Sequence, residues 1–264
     1  MHFYKHQATR GLKYLMLATV PLLMGSCTLD EPKATVDENG SVNYGRLSSI
    51  TYLTAPILTF TYDSQNRITC IESNTSMMES DEDLLEISYD PLKIILTDYV
   101  DNGVAEVDTF TDITLNNQGY ITSMKDHYMT STGSEEVKTM AFTYDSNGHL
   151  TGISNDGEQE SRFTWENGCL MQWDNDGTIF TYAYDTLENT YSQWCPWDGT
   201  SLLFMTNLLG KAPEKLISKT QIQDYYGSDA YETTYAYKLN SLGQISVMRY
   251  SYYGETVSYT FNYK

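Results

Sequence analysis

Thr59-Phe60-Thr61-Tyr62 alternates hydroxyl and aromatic side chains, and the same alternation returns at Phe142/Tyr144, Phe163/Trp165, Tyr182/Tyr184, Tyr235/Tyr237 and Tyr259/Phe261/Tyr263. Successive side chains on a strand point to opposite faces, so each segment predicts a strand with an aromatic face and a polar face. Polar turns then recur along the chain: Asp63-Ser64-Gln65-Asn66, Asn116-Asn117-Gln118-Gly119, Asp145-Ser146-Asn147-Gly148, Glu166-Asn167-Gly168 and Asn240-Ser241-Leu242-Gly243. Asn, Asp and Gly there tolerate positive φ or hydrogen-bond their own backbone. A second apolar run then begins, as in Leu150-Thr151-Gly152-Ile153, where the apolar spacing of three breaks strict alternation and predicts a β-bulge or a strand buried on both faces.

The unit is therefore one β-hairpin written repeatedly. Thr59–Ser73 and Ala141–Asn155 are its clearest copies; Arg162 and Tyr235 open weaker ones. About 14 to 16 strands follow, near the limit at which one open sheet curls or closes. The predicted fold is all-β: an antiparallel up-and-down meander curling into a barrel-like sheet. One segment departs from the pattern. Thr200 can cap a short apolar helix over 201–209 that Gly210 ends, with Pro213 behind it. Such a helix is expected to cover or plug one end of the sheet.

The first 26 residues carry Lys5, Arg10 and Lys13 and no acid, then an apolar stretch from Tyr14 to Met24. That stretch is shorter than the roughly 20 residues a spanning helix needs and reads as the core of a signal peptide. Leu23-Met24-Gly25-Ser26-Cys27 resembles the lipobox of bacterial lipoproteins, which implies acylation of Cys27 and removal of residues 1–26. Residues 27–45 then form a lipidated acidic tether too polar to bury a core, and 46–264 a single β domain. The expected address is the cell envelope, anchored to the outer membrane by lipid. Loss of the three cations takes the formal charge from −19 to −22. So acidic a surface repels phosphate backbones and excludes nucleic acid as a partner. A barrel embedded in lipid is disfavoured as well, because the non-aromatic strand face carries Thr, Ser and acids rather than Leu and Val.

The Tyr-Asp dipeptides at 62–63, 89–90, 144–145 and 184–185 resemble the YD repeats of large bacterial shell and toxin-delivery proteins. The order of parts, with the segment Leu208–Ile217, is similar to a family of bacterial lipoproteins of unknown function with a porin-like fold. That resemblance implies a shape and an address and brings neither an activity nor site residues.

Chemistry is sparse. The mature chain keeps two histidines, His127 and His149, and contains no H-E-x-x-H, G-x-S-x-G or glycine-rich phosphate loop. His149, at a turn exit, is expected to be exposed. Asp174-Asn175-Asp176-Gly177 could offer oxygen ligands to calcium but reads better as a hairpin turn. No catalytic residue, metal or cofactor is assigned. Cys70, Cys169 and Cys195 allow one disulfide with one free thiol, or three thiols. Tyr191, Trp194, Trp197 and Trp173 gather near the apolar segment and are the candidate ligand-binding residues, for stacking on a glycan or anchoring a protein partner. Three functional classes stand: a non-catalytic binding module, a purely structural envelope module and an uncharacterised hydrolase. Two converging carboxylates with a raised pKa would favour the last.

Overall fold

The computed structural model describes residues 35–36, 42–43, 45–74, 84–100, 104–130, 133–190, 202–223, 231–252 and 254–264. Within the expected tether, β1 (Thr35–Val36) and β2 (Val42–Asn43) pair antiparallel. Sixteen further strands follow: β3 (Leu47–Tyr52), β4 (Ala55–Tyr62), β5 (Ile68–Ser73), β6 (Leu84–Tyr89), β7 (Leu92–Val100), β8 (Val104–Leu115), β9 (Ile121–Met129), β10 (Glu135–Tyr144), β11 (Leu150–Asn155), β12 (Glu158–Glu166), β13 (Cys169–Asn175), β14 (Thr178–Glu188), β15 (Lys215–Gln223), β16 (Tyr231–Leu239), β17 (Ile245–Tyr252) and β18 (Glu255–Tyr263). Each pairs with its sequence neighbour, and β18 returns to β3 through Phe261↔Ile50, so the meander closes into a barrel. Arg46 and Lys264 exchange backbone bonds of 2.8 and 2.9 Å at the seam.

Alternation decides which way each side chain points. Along β12, Ser161 and Phe163 are buried while Arg162, Thr164 and Glu166 are exposed. The inward face is apolar around the barrel: Ile50, Phe60, Leu85, Phe110, Met140 and Phe180 belong to one continuous core. A transmembrane barrel has the opposite polarity, with an apolar band outside and a polar lumen. A 16-stranded porin also leaves a water-filled channel, whereas this interior is filled.

Part of the filling is a plug. The expected helix over 201–209 is two 3-10 turns, Leu202–Met205 and Asn207–Leu209. Thr206 divides them: its hydroxyl donates to the Leu203 carbonyl at 2.7 Å and accepts from the Leu208 amide at 3.3 Å, capping the second turn. Gly210, at φ 90, ends the segment as expected. Leu203 and Phe204 are buried, and Phe204 packs against Phe163 and Trp173 at 6.2 and 5.9 Å. The chain leaves β14 and re-enters β15 at the same end, so the plug closes that end from within.

The repeat has a physical explanation at this capped end. Tyr62, Tyr89, Tyr144, Tyr184, Tyr237 and Tyr263 donate their hydroxyls to the carbonyls of Leu47, Ile68, Ile121, Leu170, Ile217 and Ile245, at 2.6–2.9 Å. Trp165 Nε1 makes the equivalent bond to Leu150 at 2.7 Å. Each ring lies across a neighbouring hairpin and satisfies a carbonyl at its base. The turn residue supports it from the other side. Asp63, Asn116, Asp145 and Asn240 each accept two backbone amides through Oδ1, at 2.8–3.0 Å. The apolar spacing of three is a bulge: Thr143 pairs with Gly152 but Tyr144 with Leu150. The same register shift occurs at Thr61/Tyr62, Thr164/Trp165 and Lys238/Leu239. The opposite hairpin ends use two-residue turns with both φ positive, Asp156-Gly157 and Asp176-Gly177.

Candidate functional site

Cys27, Tyr191, Trp194, Trp197 and Cys195 lie outside the described residues. Cys70 and Cys169 are free thiols. Trp173 is 2% exposed, its ring stacked between Phe163 at 5.6 Å and Phe180 at 4.7 Å. No face is left for a ligand, which corrects the expectation for this residue: its alternation phase points it into the barrel. His149 is likewise 5% exposed rather than a surface loop residue. Its Nδ1 lies 2.9 Å from Asp145 Oδ2 and its ring stacks on Trp165 at 4.4 Å. The turn folds inward there because the plug lies over it, with the Lys211 amide donating to the Gly148 carbonyl at 3.0 Å. Burial raises the Asp145 carboxyl, but the bonds from His149 and Asn147 outweigh it and hold the group below its usual range. Asp174 Oδ1 accepts the Gly177 amide at 3.1 Å, so this acid belongs to the hairpin turn.

Away from the plug, the inward face changes character. On β9 the inward residues run Met124, Asp126, Tyr128, and on β10 Met140, Lys138, Glu136. The register sets Met124 opposite Met140, Asp126 opposite Lys138 and Tyr128 opposite Glu136. Tyr128 donates to Glu136 Oε2 at 2.6 Å, and Lys138 Nζ sits 4.8 Å from the Tyr128 ring centre. Asp126 is fully buried. On β8, Asp108 precedes Phe110 by one inward position. Burial pushes its carboxyl up to about 6, with the Asp126 charge adding to the effect. Burial also lowers the Lys138 ammonium, but Tyr128, Glu160 and Asp126 outweigh it and hold the pKa above the ordinary value.

The polar layer continues beyond β10. Asn155, opposite Met140, donates from Nδ2 to Glu160 Oε1 at 2.7 Å. Ser161 donates to Asn175 Oδ1 at 2.7 Å, and Thr220 and Thr233 are buried opposite each other on β15 and β16. Asn155 is 6% exposed, and its Oδ1 finds no hydrogen-bond partner among the described residues; nor does Trp173 Nε1. Buried polar groups are normally bonded, so at these atoms the described residues do not complete the network. Chemically the layer gathers carboxylates, amides and hydroxyls around the Lys138 ammonium in a low-dielectric interior.

Asp108, Asp126, Lys138 and Asn155 were not singled out by sequence reasoning. The available signal was phase: Asp126 occupies an inward position after Ile121 and Met124, where the pattern calls for an apolar residue. A chain with 35 acids hides it, because most of them are solvated.

A family described as a domain of unknown function (DUF4595) with porin-like fold matches residues 60–246. The chain belongs to this family. The matched span contains the whole polar layer from Asp108 to Thr233. Among solved structures, a porin-like protein from Bacteroides uniformis ATCC 8492 is similar at 19% identity and a TM-score of 0.56, covering 83% of this chain and 98% of that one. A porin-like protein from Bacteroides vulgatus ATCC 8482 is similar at 12% identity and a TM-score of 0.45, covering 84% and 99%. No curated protein matches the chain. The likeness to the Bacteroides uniformis protein is one of fold.

Proposed function

We propose that this member of the porin-like family is a lipid-anchored envelope protein that binds a glycan or a protein partner and neither conducts nor transforms it. The observation that carries the reading is the polarity of the barrel: apolar core inside, polar and charged side chains outside. An outward Arg or Lys costs about 2–4 kcal/mol at a bilayer midplane, so Arg162, Lys125 and Arg249 on the outer face suit water. A filled interior suits a rigid scaffold. Attachment then falls to Cys27, and recognition to Trp194, Trp197 and Tyr191 or to the polar end of the barrel. A glycan-array screen of the full chain tests the reading. Binding that weakens by about 1–3 kcal/mol in Trp194→Ala or Trp197→Ala supports the glycan version; no glycan binding leaves a protein partner or a purely structural role.

One observation favours a second reading. Asp108, with its raised pKa, stands beside the buried Asp126, the arrangement of a general acid and a partner carboxylate. On that reading the protein is a hydrolase, and turnover of a glycan would be lost in both Asp108→Asn and Asp126→Asn. Turnover of that kind would overturn the non-catalytic proposal.

A further inference from the structure

At the end away from the plug, β10 outruns its neighbour. It pairs with β9 from Glu135↔Met129 to Ala141↔Ser123, but with β11 only from Met140↔Asn155 onward. β11 turns back there through Asp156-Gly157 into β12. The last contact on that side is at Thr139, whose carbonyl accepts the Asp156 amide at 2.8 Å and whose amide donates to Asp156 Oδ1 at 2.9 Å. Hydrogen-bonding groups of successive residues point to opposite edges of a strand. Those of Val137 and Glu135 therefore point the same way as those of Thr139, and among the described residues no strand meets them. Gly133 to Val137 are all exposed. We infer that this edge, Glu135–Thr139, binds an extended peptide by strand addition, and that the peptide carries an apolar residue followed by two basic ones. The inference rests on the protein-partner version of the binding role and deepens it; it needs neither the lipid anchor nor the Trp194/Trp197 segment.

Amides and carbonyls along a bare sheet edge are a template for another strand. Side-chain alternation then decides which strand fits. Val137 faces outward at the middle of the edge and is 50% exposed; Met129 of β9 and Val107 of β8 are exposed on the same outward face. A residue placed opposite Val137 meets apolar surface. The next two positions fall opposite Glu136 and Glu135. Glu136 accepts the neutral Tyr128 hydroxyl and keeps its charge, and Glu135 lies exposed, 3.3 Å from His127 Nδ1. Lysine or arginine at both positions gains cross-strand ion pairs. In the other direction the partner reaches Lys138, where a small hydroxyl residue fits, and then stops at Asp156. Run antiparallel, the incoming strand therefore reads hydroxyl, apolar, basic, basic. The same acids exclude a second copy of this chain. Pairing about Val137 would bring its own acids against Asp156, and a formal charge of −19 on each chain opposes the approach. A cationic segment turns that repulsion into attraction.

Fluorescence polarisation of the full chain in detergent tests the inference, with a labelled peptide of sequence serine-threonine-valine-lysine-lysine-threonine. Saturable binding at one site is expected. It should fall about tenfold or more when the valine and second lysine amides are N-methylated, because those two face the edge. Methylation of the first lysine amide, which faces away, should leave it unchanged at the same peptide charge. Glu135→Lys should weaken it several-fold. Val137→Pro should abolish it and leave the melting temperature unchanged, since a proline is tolerated where the amide faces a free edge. Lys138→Pro, whose amide faces β9, should destabilise the fold. Hydrogen exchange probes the edge without a substitution: the Val137 amide should exchange fast in the free chain and slow when peptide is added. Absence of saturable binding, N-methylation at the valine that costs nothing, or a protected Val137 amide in the free chain overturns the inference. So does self-association lost in Val137→Pro, which would put a second copy on the edge. Glycan-array binding that depends on Trp194, with no peptide binding, would sink this inference alone and leave the binding role standing.

Discussion

The two ends of the barrel are built by different rules. At the capped end the β4–β5, β10–β11 and β16–β17 hairpins repeat one device: an aromatic donor on a neighbouring carbonyl, an Asp or Asn folding the turn, and a bulge between them. The apolar plug then removes that end from water. At the other end the same strands carry Asp108, Asp126, Lys138, Asn155 and Ser161 into the interior, and the devices do not repeat. Repetition serves closure, whose requirements are alike at every hairpin. The polar end departs from it at a cost in stability, and inward charge that destabilises a fold is the pattern expected of a functional surface.

The contrast predicts an ordered set of responses. The largest belongs to the plug layer. Trp173→Ala removes a ring packed against Phe163, Phe180 and Phe204, and should cost about 3–5 kcal/mol in chemical denaturation. A cost below about 1 kcal/mol would mean the interior is not packed as described. Next come the capped end's aromatic donors. Tyr144→Phe strips the Ile121 carbonyl of its 2.6 Å donor and should cost about 1–2 kcal/mol. Tyr128→Phe, whose partner Glu136 is exposed, should cost less than about 0.5 kcal/mol. Equal costs would erase the distinction between the ends.

At the polar end the sign reverses. The Asp108 carboxyl has its pKa raised on folding from 3.8 to about 6, so the folded state binds this proton more tightly. Its contribution therefore favours the fold at low pH and is lost as pH rises through that window. Asp108→Asn should stabilise the protein by about 1–2 kcal/mol at pH 7, allowing for solvent screening at a partly exposed site, and by nothing near pH 4. Denaturation at both pH values checks this; destabilisation at pH 7 would show that the charge is stabilising. Smallest of all, Thr164→Ala on the outer face should change stability by under about 0.5 kcal/mol.

The capped end was legible in the sequence because its parts are local. Tyr144-Asp145 and Leu150-Thr151-Gly152-Ile153 announce strand, turn and bulge within ten residues, and they recur often enough to yield the strand count. The form of the plug was not legible. Thr206 reads as one more residue in an apolar helix until its hydroxyl is seen to compete for the backbone. Trp173 and His149 were misplaced because burial depends on what covers a position: for Trp173 the aromatic stack, for His149 the turn under the plug. The polar end was hidden for a related reason. Asp108, Asp126 and Asn155 lie on three different strands, and only the pairing of β8 through β11 sets them on one inward face.

We propose that the barrel is a water-facing, filled scaffold rather than a membrane-spanning channel. The direct measurement places a site-specific protease sequence between Thr28 and Lys33 of the full chain, cleaves isolated membranes, and follows the barrel after centrifugation. Release into the aqueous supernatant without detergent, with no conductance in a planar bilayer, is the predicted result. A cleaved barrel that stays with the membrane until detergent is added, or that conducts ions, would contradict it.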